Sequence, residues 1–192
     1  MRWRRFCGQF QTTDQLDEFL TKFPRPQQPT PEESLPASPS IHCRGELVMD
    51  ATRFWEIVAE SKVGFDTEHY QSSRHEQVRR LHQLLSSLPI EEVLSFLKLF
   101  GARMDEAYSR PREGLWAVAF DLGGGCSEDG FDDFRCWLIS MGREVFEAAV
   151  RDPETVYEVA EHMGGGDDVF FEEFQYVPSQ VLRQMTGEEE CR

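Results

Sequence analysis

The sequence predicts an all-α fold: a compact, multi-helix, bundle-like domain with a Pro-rich N-terminal extension. Three observations carry that expectation. From Met49 onward apolar residues recur at steps of three and four, the period of one face of a helix. The apolar/polar alternation of a half-buried strand is absent over any useful length. The chain of 192 residues is 40% hydrophobic and 12% aromatic, with 15 Phe and 4 Trp, which supplies a core and argues against global disorder.

Taken in order, Leu16, Phe19, Leu20 and Phe23 recur at helical spacing, so residues 1–23 form a short N-terminal segment with a helix expected over 13–23. Six of the ten prolines fall between Pro24 and Pro39 among Gln, Ser, Thr and Glu, a composition that buries too little to fold, so 24–47 reads as a flexible linker. Residues 48–188 then form the helical domain and 189–192 a tail. Asp50 is placed to cap a helix bearing Phe54, Trp55, Ile57 and Val58. Ser73 and Glu76 make a capping-box pattern ahead of Val78, Leu81, Leu84, Leu85 and Leu88. Pro89 suits the first turn of the next helix, with Glu91 and Glu92 near its N-terminus and Val93, Leu94, Phe96, Leu97, Phe100, Met104 and Tyr108 lining it.

A short element over 115–122 ends at Gly123, Gly124 and Gly125. Ser127 caps the next helix, and Phe131, Phe134, Leu138, Met141, Val145 and Ala149 predict that it is long, unbroken and core-facing. Asp152 and Pro153 restart a helix that runs to Met163. The last segment carries Val169, Phe170, Phe171 and Phe174, is expected to break near Pro178, and ends in a turn to Gly187.

The formal net charge is −15, from 35 Asp+Glu against 20 Lys+Arg. It is distributed unevenly: residues 121–192 hold eighteen acidic and five basic side chains and so contribute −13. Such a surface repels phosphate backbones and anionic headgroups, so neither nucleic acid nor membrane is expected as a partner. The longest uninterrupted apolar run is 115–120, far short of the ~20 residues of a membrane helix. Arg2, Arg4 and Arg5 resemble the basic start of a signal peptide, but no apolar segment comes after them. Cys7, Cys43, Cys126, Cys136 and Cys191 are odd in number with no C-x-x-C pair, which fits reduced thiols and a cytoplasmic location.

Three stretches stand together: Met49-Asp50 followed by Phe54-Trp55-Glu56-Ile57; Leu115-Trp116-Ala117; and G-G-C-S-E-D-G-F-D-D-F-R-C-W-L-I over 124–139. Over about 49–188 the chain resembles a bacterial family catalogued as a domain of unknown function, numbered 4240, in which an FW helix, an LW-A segment and a G-C-S-D-D-G-F-x-x-F-R-x-W-L-I motif recur in this order. Asp152-Pro153-Glu154, Tyr157 and Glu172-Glu173-Phe174-x-Tyr176 are similar to its tail. Glu128 stands where the family pattern usually shows Asp. The resemblance implies family membership and no activity.

The residues around 124–133 allow several chemistries. A Gly-rich turn before a helix commonly cradles phosphate, yet Glu128, Asp129, Asp132 and Asp133 occupy that end and no Lys-Ser/Thr comes after the glycines. The plainer expectation is a tight interhelical turn with acids satisfying the helix dipole. Asp129, Asp132 and Asp133 fall at i, i+3 and i+4, with Asp121 across the loop, a donor set for a hard divalent cation. Against this, Phe131 and Phe134 mark the buried face and leave Asp132 and Asp133 on the solvated side.

Cys126, beside a helix N-terminus, has the setting of an activated thiol, with Ser127, Asp129 and Arg135 as companions in a catalytic reading. A small buried thiol packing the turn is the alternative, since the five histidines (His42, His69, His75, His82, His162) are distant in sequence. His75, Arg79 and His82 share one helical face without forming H-E-x-x-H, and read as its wet side. Arg135, one turn after Asp132, reads as a structural cation paired with a carboxylate. Trp55, Trp116 and Trp137 read as one core. No motif asks for a cofactor. Two functional classes remain open: a non-enzymatic acidic module that binds or regulates a basic protein partner, and an enzyme built on the 124–133 turn.

Overall fold

In a computed structural model the described residues are 48–109, 111, 113–163 and 166–187, within the compact unit Leu47–Arg192. The helix expected at 13–23, the linker at 24–47 and the tail at 189–192 lie outside them. Among the described residues every regular element is helical, as the absence of alternation predicts.

Helix α1 (Ala51–Ser61) starts where Asp50 predicts: its carboxylate accepts the Arg53 N–H at 2.8 Å. Helix α2 (Tyr70–Ser86) begins three residues before Ser73, so the expected capping box does not form. The Ser73 hydroxyl instead accepts the Asp66 N–H and donates to the Asp66 carbonyl, both at 2.9 Å, pinning the preceding turn against the helix. Glu76 turns outward to Arg79 and Arg80. Helix α3 (Ile90–Glu106) takes Pro89 as its cap and buries Val93, Phe96, Phe100 and Met104. Tyr108 falls beyond its end and is exposed.

Helix α4 (Gly114–Leu122) is followed by α5 (Glu128–Met141), where the Ser127 hydroxyl accepts the Gly130 N–H at 3.0 Å. The single long helix expected through Ala149 is in fact two. Gly142 has φ +98°, a value side-chain-bearing residues rarely adopt, and separates α5 from α6 (Arg143–Arg151). Helix α7 (Thr155–His162) comes after Asp152, whose carboxylate accepts the Glu154 N–H at 3.2 Å. A 3-10 turn (Gly166–Val169) leads into α8 (Glu172–Thr186).

The break expected at Pro178 does not occur; α8 runs through it. Proline there removes one backbone bond, a cost of ~3 kcal/mol. Burial of Phe174, Val177, Pro178 and Val181 against α2, α3 and α5 offsets it, at ~1.5–3 kcal/mol for each large side chain. Helix α5 lies at the centre, packed against α3, α4, α6, α8 and the 3-10 turn. Helix α7 rests on α4 and α6.

Candidate functional site

The glycine turn between α4 and α5 uses its own N–H groups. Gly123 N–H bonds the Ala119 carbonyl at 3.1 Å and Gly125 N–H the Phe120 carbonyl at 2.8 Å, closing the C-terminus of α4. A Cβ on Gly123 would lie 2.6 Å from the Phe170 ring. The turn thus answers to helix closure and a close ring contact, and these two donors are not presented to a phosphate.

The acids of α5 diverge. Asp132, expected on the solvated side, is buried, and its carboxylate is paired with the buried Arg135 guanidinium one turn on. Arg135 also donates to the Met104 carbonyl at 2.5 Å, in the last turn of α3, where carbonyls lack helical partners and a cation is favoured. Its guanidinium lies over the Phe131 ring at 5.0 Å and the Tyr108 ring at 5.6 Å. A buried pair of this kind is strongly destabilising to break, because one charge is then left desolvated. Asp133 accepts from Gln175 of α8 at 3.3 Å, while Asp129 sits half-exposed in the first turn of α5. Among the described residues, three ligand-type atoms come within 4.8 Å of one another at Asp66, Glu68 and His69, and the trio Asp129, Asp132, Asp133 forms no such group. The Asp66 cluster serves the start of α2: its carboxylate holds His69 Nδ1 at 2.8 Å and the Glu68 N–H at 2.9 Å.

Cys126 is half-buried, and its thiol donates to the Ser127 carbonyl at 3.4 Å. Burial, followed by the charges of Asp133 and Asp132, pushes the thiol up to about 11. Burial, aided by these acids, keeps the group protonated at neutral pH, opposite to what an activated nucleophile needs. Ser127 is occupied as the α5 cap. Cys136 is fully buried and raised well above the usual thiol range, chiefly by burial.

The interior holds a polar network absent from the sequence expectations. Trp137 Nε1 donates to the Tyr70 hydroxyl at 2.8 Å, which donates to the Asp168 carbonyl at 2.7 Å. Arg74 stacks over Phe171 at 4.3 Å and donates to the Phe170 carbonyl at 2.5 Å. Lys62 and Gln77 donate to the Met141 and Ser140 carbonyls at 3.0 and 2.8 Å, closing the C-terminus of α5. A recess of about 210 Å³ opens beside Lys62 and Phe65, and a second of about 390 Å³ beside His69 and Asp168.

The outer surface is different. Asp121, Glu144, Asp152, Glu154, Glu158 and Glu161 are exposed and make no ion pair among the described residues. Phe120 and Tyr157 stand exposed among them. Phe120 was not singled out in the sequence: it falls one turn after the buried Trp116, at i+4, so helical spacing alone groups it with the core, yet it is exposed.

An all-α module with a charge-paired central helix and a carboxylate-rich outer face is the class these features define. The chain belongs to the family described as Protein of unknown function (DUF4240), which matches residues 49–184. No curated protein and no solved structure matches it. The second part of the motif that carries the family resemblance is interior: Phe131, Asp132 and every residue from Phe134 to Ile139 are buried, while 124–130 are not.

Proposed function

We propose that the protein is a non-enzymatic cytoplasmic interaction module whose acidic C-terminal part binds a basic segment of a partner protein. The observation that carries this is the set of exposed carboxylates on α4, α6 and α7 that lack cationic partners among the described residues. Cations bound there meet charge that the fold has not already neutralised, which raises both association rate and specificity. The elevated Cys126 thiol and the divergence of Asp129, Asp132 and Asp133 weigh against the enzyme alternative. Isothermal titration of the full chain with a Lys/Arg-rich peptide tests the reading: binding is expected at about 50 mM salt and a large loss of it at about 500 mM. Absence of binding at the lower salt contradicts it.

A further inference from the structure

We propose that the basic segment docks on the outer face shared by α4 and α7, where Phe120 and Tyr157 stack on arginine side chains and Asp121, Glu154, Glu158 and Glu161 take their charge. This rests on the interaction reading above and adds to it a location and a preference for arginine. Helices α4 (GLWAVAFDL) and α7 (TVYEVAEH) contain no Lys or Arg, whereas each of the other described α-helices contains at least one. They are also packed together, so their exposed acids lie on adjoining helices that carry no Lys or Arg. Glu154, at the cap, and Tyr157, Glu158 and Glu161 recur at steps of three and four along α7, and all are exposed.

The aromatics give this surface more than charge. Phe120 is 52% and Tyr157 36% exposed, although α4 has an inward side already filled. The Asp121 carboxylate, next in sequence to Phe120, is near enough to act on the Tyr157 phenol, and α4 and α7 pack together, so Phe120 and Tyr157 stand on adjoining helices. Burial, then Asp121 and Glu154, raises the Tyr157 phenol, so it remains a neutral donor at physiological pH. A carboxylate alone accepts any cation. A carboxylate beside an aromatic face favours guanidinium, which is planar, weakly hydrated, and able to stack while donating in a fork. The occupant is therefore an arginine-bearing segment, bound more tightly than its lysine counterpart.

The experiment titrates the ¹⁵N-labelled full chain at low salt with a short arginine-rich peptide and with the same peptide carrying lysines. The largest amide shifts are expected over 117–121 and 154–161, with the arginine peptide binding more tightly. The double variant Phe120→Ser/Tyr157→Ser is expected to weaken the arginine peptide about tenfold and to erase the preference over lysine. Glu158→Gln/Glu161→Gln, which leaves the rings in place, is expected to weaken both peptides alike. Shifts centred elsewhere, or unchanged affinity in the aromatic variant, overturn the location while leaving the interaction reading standing. No binding of either peptide to the wild type removes both. A wild-type dimer in sedimentation that Phe120→Ser/Tyr157→Ser dissociates makes the face a self-interface and overturns the proposal.

Discussion

Helices α5 and α7 treat charge in opposite ways. In α5 the ionic groups Asp132 and Arg135 lie inside, paired with each other, and the guanidinium also holds the last turn of α3. In α7 Glu158 and Glu161 lie outside with no ion pair among the described residues. A charge taken from water must be paired or the fold loses several kcal/mol, while a charge left in water makes no such demand. The inner charges are thus committed to holding the domain together, and the outer ones remain for something outside it. The 131–139 part of the family motif, Asp133 excepted, falls on the inner side of this divide.

Breaking the inner pair has the largest expected effect. Asp132→Ala leaves Arg135 buried without its counter-ion and should cost ~3–5 kcal/mol in urea unfolding; a cost below ~1 kcal/mol would mean the pair is solvated and the contrast with α7 void. Next comes Tyr70→Phe, which leaves the Trp137 N–H and the Asp168 carbonyl without a partner and should cost ~1–3 kcal/mol. The same residue sets an alkaline limit. Burial above all raises the Tyr70 phenol to about 12, from an unfolded value near ~10. The unfolded chain therefore loses this proton first, so the contribution is complete below ~10 and disappears as pH rises toward about 12. Melts across that window should show the decline in the wild type, and a decline of equal size in Tyr70→Phe refutes the assignment.

A smaller effect concerns the thiols. Cys126 should label with iodoacetamide far more slowly than a free small thiol at neutral pH and accelerate as pH approaches about 11, while Cys136 stays unlabelled until the chain unfolds. Fast neutral-pH labelling of Cys126 alone would return it to the nucleophile class. Least of all is expected from Glu158→Gln/Glu161→Gln, whose melting temperature should match or slightly exceed the wild type, since these exposed carboxylates have no pair to lose.

Much of the fold was legible because helical periodicity, N-caps and proline placement are local signals. Asp50, Pro89 and Ser127 each mark a helix start in sequence and in space, whereas the helix expected to be capped by Asp152 begins at Thr155 with Glu154 as its cap. The errors arose where a tertiary contact outweighed the local rule. Ser73 is drawn into a bond with Asp66, and α8 passes through Pro178 because its buried face holds it. Gly142 was visible but masked by an unbroken apolar period on either side. At the site, the Asp132–Arg135 spacing was readable, whereas the burial of Asp132 was not: it depends on α3 ending where Met104 can accept from Arg135. The Tyr70–Trp137 bond joins residues 67 apart in sequence, and no local pattern announces it.

The central claim is that the buried Asp132 and Arg135 of α5 are paired, whereas the exposed carboxylates of α4 and α7 have no ion pair among the described residues. Its most direct test is the unfolding free energy of the wild-type chain as NaCl rises from about 20 mM to about 500 mM, below the range of strong salting-out. Screening acts on exposed charges and little on buried ones. Relief of repulsion among unpaired surface carboxylates should therefore raise stability with salt while the Asp132–Arg135 pair persists. A steady fall in stability over the same range would show that attractive surface pairs dominate, and would contradict the account.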